Sequence, residues 1–433
     1  MVEASGCFKL IRAGRLLDGL GGPALKNGAV LLKGSKVCVV GRQGVVAVPE
    51  GAEVRVFDYP DQTVMPGMVD AHTHHNGFGD GRKGDDLATL PDEVLTLQSA
   101  RNARSTLFTG VTSIRENGPK NATMLRLKDA VNQGFTVGPR MVLCGRPVAI
   151  VGGHMYYMGI QSTGSVQART HTRRLIKEGA DYIKITATGG STNTSFPLRP
   201  SFNVDELGVI VEEAHKFGKL TAAHCSSTQG IINSLDAGVD MIIHCVFVDP
   251  DGTHNFRADV ADRIAEQGAV VNPTLHTYRS MYWILQGKKE RQGLTLQETA
   301  KMDSLRDEFD ARVEDCNKLI EMGIDVVTGS DSSWGDYKLG NTPYELECLT
   351  MAGYSDSKAV VSVTSLSAKA IGIDGEVGTL EPGKVADIIV VNGKPDEDVS
   401  ALWDVRDVFF DGDLVDRGSV ESRANIRQRI DEA

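Results

Sequence analysis

The chain has 433 residues, 41% hydrophobic and 24% charged, which excludes a disordered tail, a coiled coil and a collagen-like repeat. A formal net charge of -11 argues against nonspecific binding to nucleic acid or to anionic lipid. Seven cysteines, an odd number with no CxxC pair, point to reduced thiols, and no apolar run approaches the ~18 residues of a membrane span. The N-terminal stretch also lacks the basic start and apolar core of a signal peptide. The expectation is a cytoplasmic protein with neither a membrane nor a nucleic-acid partner.

The chain opens on FKLIRAGRLLDG, GAVLLKGSKVCVVG and AEVRVFDYPDQTVMPG, short β-type runs divided by Gly turns. The texture then changes. VTSIRE, MLRLKDAVNQG and RMVLCG alternate strand and helix patterns. The alternation continues through HTRRLIKEGA, DYIKITATGG, VDELGVIVEEAHKFG, KLTAAHC, TQGIINSLDAG and VDMIIHC, and then through VADRIAEQG, AVVNPT, VEDCNKLIEMG and IDVVTGSDSS. This is a βα repeat with about eight strands between residues 64 and 331, the spacing of a barrel. KVADIIVVNG and DVRDVFFDGDLVD return to the opening texture. The expected architecture is α/β: a TIM (β/α)8 barrel over residues 64–365, with a small β-sandwich domain formed by both termini, 1–63 and 366–433. The closing ESRANIRQRIDEA reads as a surface helix or a frayed tail.

All ten histidines lie between His72 and His276, and several end predicted strands, where a TIM barrel assembles its chemistry. In VMPGMVDAHTHHNG, His72 and His74 are two apart on an extended segment and project to one side, while His75 points away. Two imidazoles there suit a divalent cation; hydrogen-bonded histidines at a polar strand end are the alternative. Lys184 stands between Ile183 and Ile185 in a predicted interior strand, where an ammonium is costly to bury. It either pairs with a carboxylate such as Asp181, or it is deprotonated and reacts with CO2 to give a carbamate. His224 and His244 end consecutive predicted strands, one βα unit apart. Asp331 directly follows the last apolar strand and can bind metal and accept a proton.

Together, VMPGMVDAHTH, Lys184, His224, His244, Asp331 and the C-terminal GTLEPGKVADIIVVNGKP resemble the amidohydrolase superfamily. Within it the chain resembles the branch of prolidase-like dipeptidases, ochratoxin amidases and phenylurea hydrolases. The resemblance implies two divalent metal ions, zinc foremost, with manganese or cobalt as the other options. His72, His74 and Asp331 would hold one, His224 and His244 the other, and Lys184, as N6-carboxylysine, would bridge them. Asp331 is then the catalytic proton carrier, and His154, in VGGHMYYMG, contacts substrate. Ser226 occupies a substrate-binding position that carries Tyr in several dipeptidase relatives, which counts against a dipeptidase. Imidazolonepropionase lacks the strand-four lysine, so Lys184 counts against that activity.

Two segments at the catalytic end, VGGHMYYMG and HTYRSMYWILQG, read as loops, and their Tyr157, Tyr282 and Trp283 are expected against the substrate. Arg115, Arg146, Arg199 and Arg279 are candidate carboxylate clamps. The expected function is a binuclear metal-dependent amidohydrolase. It would cleave a small-molecule amide with an aromatic or apolar group near the scissile bond: an aryl amide, a phenylurea or an N-acyl amino acid. A prolidase-like dipeptidase is one alternative, and an imidazolonepropionase-like cyclic amide hydrolase or a deaminase is another. Barrels of this kind often associate, so a homo-oligomer is expected.

Overall fold

The computed structural model describes residues 7–334 and 337–418; ESRANIRQRIDEA lies outside them. The opening strands are β1 (Phe8–Leu16), β2 (Leu25–Lys33), β3 (Lys36–Arg42) and β4 (Val54–Pro66). Next come β5 (Met68–Thr73), β6 (Val111–Glu116), β7 (Arg140–Leu143), β8 (Val148–Ile150) and β9 (Ile160–Ser162). Then follow β10 (Ile183–Ile185), β11 (Thr221–His224), β12 (Met241–Ile243) and β13 (Val270–Asn272). The last are β14 (Ile388–Asn392), β15 (Val405–Phe410) and β16 (Asp413–Leu414).

Both ends of the chain meet in one sheet, ordered β16-β15-β14-β4-β1-β2-β3. The seven strands form one continuous hydrogen-bonded sheet because β4 pairs with β1 along one edge and with β14 along the other. β4 pairs with β1 in parallel from Val54 to Val64, with a bulge between, and Gln62–Pro66 pair along the opposite edge with β14 antiparallel. One face of that sheet buries Ile11, Val30, Val64, Ile388, Val390 and Phe409 in a shared core.

The middle of the chain is parallel throughout. It forms two sheets, β5-β6-β7 and β13-β12-β11-β10-β8-β9. Residues 326–332, from IDVVTGSDSS, run between them. Val327 N donates to Val271 O (2.9 Å), and Ala71 N donates to Thr328 O (3.0 Å). On the far side Asp181 N donates to Leu143 O (2.7 Å). Apart from the short β9, which pairs with β8 at the edge, neighbouring strands therefore follow chain order, as in a TIM-type α/β fold. Every residue of β5, β6, β10 and β11 is buried, the signature of a parallel strand covered on both faces. The connecting helices carry local stop and start signals. Asn203 and Glu206 form a capping box ahead of Val204–Lys216. Gly179 and Gly268 end their helices at φ 104° and 66°, a conformation that favours glycine.

The segment HTYRSMYWILQG, read as a loop, is helical. Leu275–Gln292 and Leu296–Glu321 are two successive helices of 18 and 26 residues. The first has no cap from its own N-terminal residue. Instead the buried Glu345 carboxylate accepts the N–H groups of Leu275 (2.9 Å) and His276 (2.7 Å). That supplies two otherwise orphaned donors with acceptor oxygens at the positive end of the helix. Among the described residues, no helix is long and apolar enough to cross a membrane.

Candidate active site

The strand ends open into a cavity of about 1040 Å³ whose lining includes His72, His74, Lys184, His224, His244 and Asp331. All six are buried. Asp331 Oδ1 lies 3.2 Å from His72 Nε2 and 3.1 Å from His74 Nε2, and the two imidazole nitrogens are 3.1 Å apart. Three ligand atoms thus surround one point. Their neighbours set the tautomers. Asn272 Nδ2 points at the carbonyls of Gly329 (3.2 Å) and Val327 (3.4 Å), so its Oδ1 faces His72 Nδ1 at 2.9 Å. His72 Nδ1 therefore carries the proton, and Nε2 keeps its lone pair. Burial, with Lys184 and His74 nearby, holds His72 well below its ordinary pKa, so the ring is neutral, the form that binds a cation.

His224 and His244 stand with ring centroids 4.5 Å apart. His224 Nε2 is 3.0 Å from Gly189 O, an acceptor, which leaves Nδ1 for a ligand. His244 Nδ1 meets Thr274 Oγ1 at 2.6 Å, which leaves Nε2. Burial lowers the His244 pKa to about 3, against the pull of Asp331. His244, Thr274 and Asp331 adopt φ of 65°, 51° and 54°. Left-handed backbone costs a non-glycine residue roughly 1–3 kcal/mol, and such residues cluster at functional sites. Close backbone approach adds to the constraint. A Cβ on Gly329 would lie 2.8 Å from His72 Cβ, and one on Gly190 would lie 2.6 Å from the His154 ring.

Lys184 is 1% exposed, and among the described residues no ion pair engages it. Asp181, its nearest acid in sequence, is taken by Lys128 Nζ (2.7 Å) and Leu143 N (2.9 Å). Burial lowers the Lys184 pKa to about 7, opposed by the Asp331 carboxylate. An Asp181 ion pair is thus not what holds this lysine.

His154 lies in the cavity wall with Nδ1 3.0 Å from Thr192 Oγ1 and its ring 4.4 Å from that of His224. Ser226 Oγ is 2.9 Å from His224 Nε2. Tyr157 also lines the cavity. Tyr282 and Trp283 do not. They sit on a helix rather than a loop, and helical phase divides its residues. Tyr278, Met281 and Ile284, at three-residue steps, face the cavity. His276, Arg279 and Trp283 form the other stripe, with Trp283 5.4 Å from both His276 and Tyr344. The apolar wall is instead Met155, Tyr157, Tyr278, Met281, Ile284 and Trp334.

None of the four arginines proposed as clamps lines the cavity. Arg115 donates to Ala71 O beneath Tyr182, and Arg146 pairs with Glu178. Arg199 lies over Phe196, and Arg279 binds Tyr344 O and Glu347. Sequence reasoning also missed Asp70, Asn272, Thr274 and Trp334. Asp70 ties β5 to the last strand segment by accepting from His72 N, Ser330 N and Thr342 Oγ1. Trp334 covers His74 at 4.9 Å. The polar ending of AVVNPT, after a run of apolar residues, was the available signal for Asn272 and Thr274.

Residues 63–415 match the model of the amidohydrolase family. The ochratoxinase of Aspergillus niger is 25% identical over 431 residues, 92% of this chain and 84% of that one. A crystal structure of a Xaa-Pro dipeptidase with bound methionine superposes with a TM-score of 0.79 at 26% identity, over 94% of this chain and 99% of that one. Phenylurea hydrolase B shares the fold at 21% identity, with a TM-score of 0.76 over 95% of this chain and 97% of that one. With the family model spanning most of its length, the chain belongs to the amidohydrolase family.

Proposed function

We propose that the protein is a binuclear metal-dependent hydrolase of a small-molecule amide bearing an aromatic or large apolar group near the scissile bond. That it cleaves carbon–nitrogen bonds follows from its family and its hydrolase relatives. The observation carrying the finer reading is the convergence of His72, His74 and Asp331 on one point, with Lys184, His224 and His244 in the same cavity.

The donor set fits divalent cations: four buried imidazoles, of which His72, His224 and His244 are held neutral by burial, one carboxylate, and a lysine without an ion-pair partner among the described residues. His72, His74 and Asp331 would hold one cation, His224 through Nδ1 and His244 through Nε2 the second. Lys184 would bridge them as its carbamate. Burial lowers its pKa to about 7, which makes the free amine accessible near neutral pH. Its Nζ lone pair attacks the carbon of CO2, a C–N bond forms, and one Nζ proton leaves to solvent. Bound there, the cations polarise the amide carbonyl and acidify water.

The chain's own residues do the rest. Asp331 accepts the proton released by the attacking water and passes it to the leaving nitrogen, without which an amine anion would have to depart. His154 and Ser226 border the space beside His224 and orient the amide. The apolar wall of Met155, Tyr157, Tyr278, Met281 and Trp334 takes the aromatic or alkyl group at ~25 cal/mol per Å² buried. Burying a phenyl group there contributes roughly 1.5–3 kcal/mol, about ten- to hundred-fold in kcat/KM.

Elemental analysis after loading with zinc or manganese and bicarbonate is expected to give two metals per chain. A panel of matched anilides, phenylureas and N-acyl amino acids, each with its alkyl counterpart, tests the substrate. One metal or none counts against the bridged site. Equal turnover of small polar amides and aromatic ones makes the wall a packing feature.

A further inference from the structure

The helix Leu296–Glu321 lies against the cavity with Ser304, Glu308, Ala311, Arg312 and Asp315 among its lining residues, a stripe at helical spacing. Arg312 stands out among them. Its side chain is 13% exposed, and its Cζ lies 3.5 Å from the Tyr278 ring centroid. Nη2 donates to Glu308 Oε1 at 2.7 Å. Nε and Nη1 are buried and have no hydrogen-bond partner among the described residues. A guanidinium carries five N–H donors and cannot shed its charge, so donors left unmatched in a buried place are costly. Such a group is matched when an anion sits beside it.

The surrounding acids do not fill that role. Asp315 Oδ2 is engaged by His254 Nε2 at 2.7 Å, and Asp315 Oδ1, though without a hydrogen-bond partner, forms no ion pair with Arg312 among the described residues. Glu308 is 44% exposed and reaches only one of the three nitrogens. The charge of Arg312 is felt by His244, and the Tyr278 phenol feels both Arg312 and Asp331. The guanidinium, stacked on Tyr278, thus lines the same cavity as the strand-end cluster, on the side that carries the apolar wall.

We propose that Arg312 binds a carboxylate of the substrate, so that the preferred amides are N-acyl amino acids with a free carboxyl group rather than uncharged aryl amides or ureas. The proposal rests on the amide-hydrolase reading and narrows its substrate class. Tyr278 holds the planar guanidinium by stacking, and the substrate's carboxylate accepts from the unpartnered nitrogens. Amides without the carboxylate leave those donors unmatched and bind more weakly.

The test compares N-acetylphenylalanine with N-acetylphenethylamine, which differ only in the carboxyl group, by acetate release from the metal-loaded enzyme. The wild type is expected to favour the acid, and Arg312→Met to lower the acid-to-amine ratio of kcat/KM by about 10- to 100-fold, chiefly through KM. Arg312→Lys keeps part of the preference. Glu308→Gln removes the internal competitor for Nη2 and raises the ratio; as an exposed substitution it decides the matter if Arg312→Met does not fold. Calorimetric titration with phenylalanine and phenethylamine, the corresponding products, reads the same contact without turnover. Binding that depends on Arg312 and on the carboxyl group, without hydrolysis, overturns the hydrolase reading and keeps the site. Hydrolysis with an acid-to-amine ratio indifferent to Arg312 and Glu308 overturns the site and keeps the reading.

Discussion

Asp387 connects the terminal sheet to the strands that carry the site, and its replacement by Asn is expected to stabilise the protein above neutral pH. The side chain is 2% exposed. Its Oδ1 accepts Asp411 N at 2.9 Å, and its Oδ2 faces Arg140 Nη2 of β7 at 3.4 Å. Burial raises its pKa from 3.8 to about 6, with Arg140 pulling the other way. Two effects therefore compete, and the raised value says that desolvation wins. The folded state binds this proton more tightly than the unfolded chain does. Its stabilising contribution is present below about pH 4 and lost as pH rises through about 6. The shift is worth about 3 kcal/mol. Asn mimics the protonated carboxyl and still accepts from Asp411 N. Asp387→Asn is thus expected to gain up to about 3 kcal/mol near pH 8 and nothing near pH 4. With 433 residues and ~2.1 cal/mol/K of unfolding entropy per residue, that is roughly 3 °C in Tm. Paired thermal melts of the two proteins across pH give the difference directly. A variant that melts lower than wild type near pH 8 would show that the Arg140 ion pair outweighs desolvation, and the reasoning would fall.

Asp331→Asn is expected to lose ~10²–10⁴ in kcat, since a proton carrier is removed, and more where the lost ligand also weakens metal binding. Near-normal turnover with the metal content intact would remove Asp331 from the proton path. Lys184→Ala is expected to lose activity and one of the two metals, with partial recovery when a short-chain carboxylate is added. Lys184→Arg is expected to be inactive, because a guanidinium stays protonated and forms no carbamate; full activity there would sink the bridge.

What could be read from the sequence, and what could not, divides along a physical line. The gathering of His72, His74, His224, His244 and Asp331 around one cavity was legible because each lies at or just past the end of a buried parallel run, and a βα repeat places such ends on one rim. One-dimensional spacing is enough when the backbone does the positioning. That both termini build one β-rich unit was legible in composition; that β4 joins the two sets of strands, with β1 on one edge and β14 on the other, was not, because strand pairing is set by distant residues. Tyr282 and Trp283 were misplaced for a different reason. Their segment is a helix whose first turn is capped by Glu345, about seventy residues downstream in sequence, so no local signal announced it. Once the helix exists, a shift of one residue turns a side chain by about 100°, and the cavity receives Tyr278 and Met281 instead. Arg312 was hidden in the same way, one position in a long charged helix whose register against the strands depends on distant packing. On the proposed reading, the reaction is encoded in strand ends and the selectivity in helix phase. On that reading, substitutions that rotate or re-register Leu275–Gln292 or Leu296–Glu321 should change which substrate is cleaved while leaving His72, His74, Lys184, His224, His244 and Asp331, which those helices do not carry, in place.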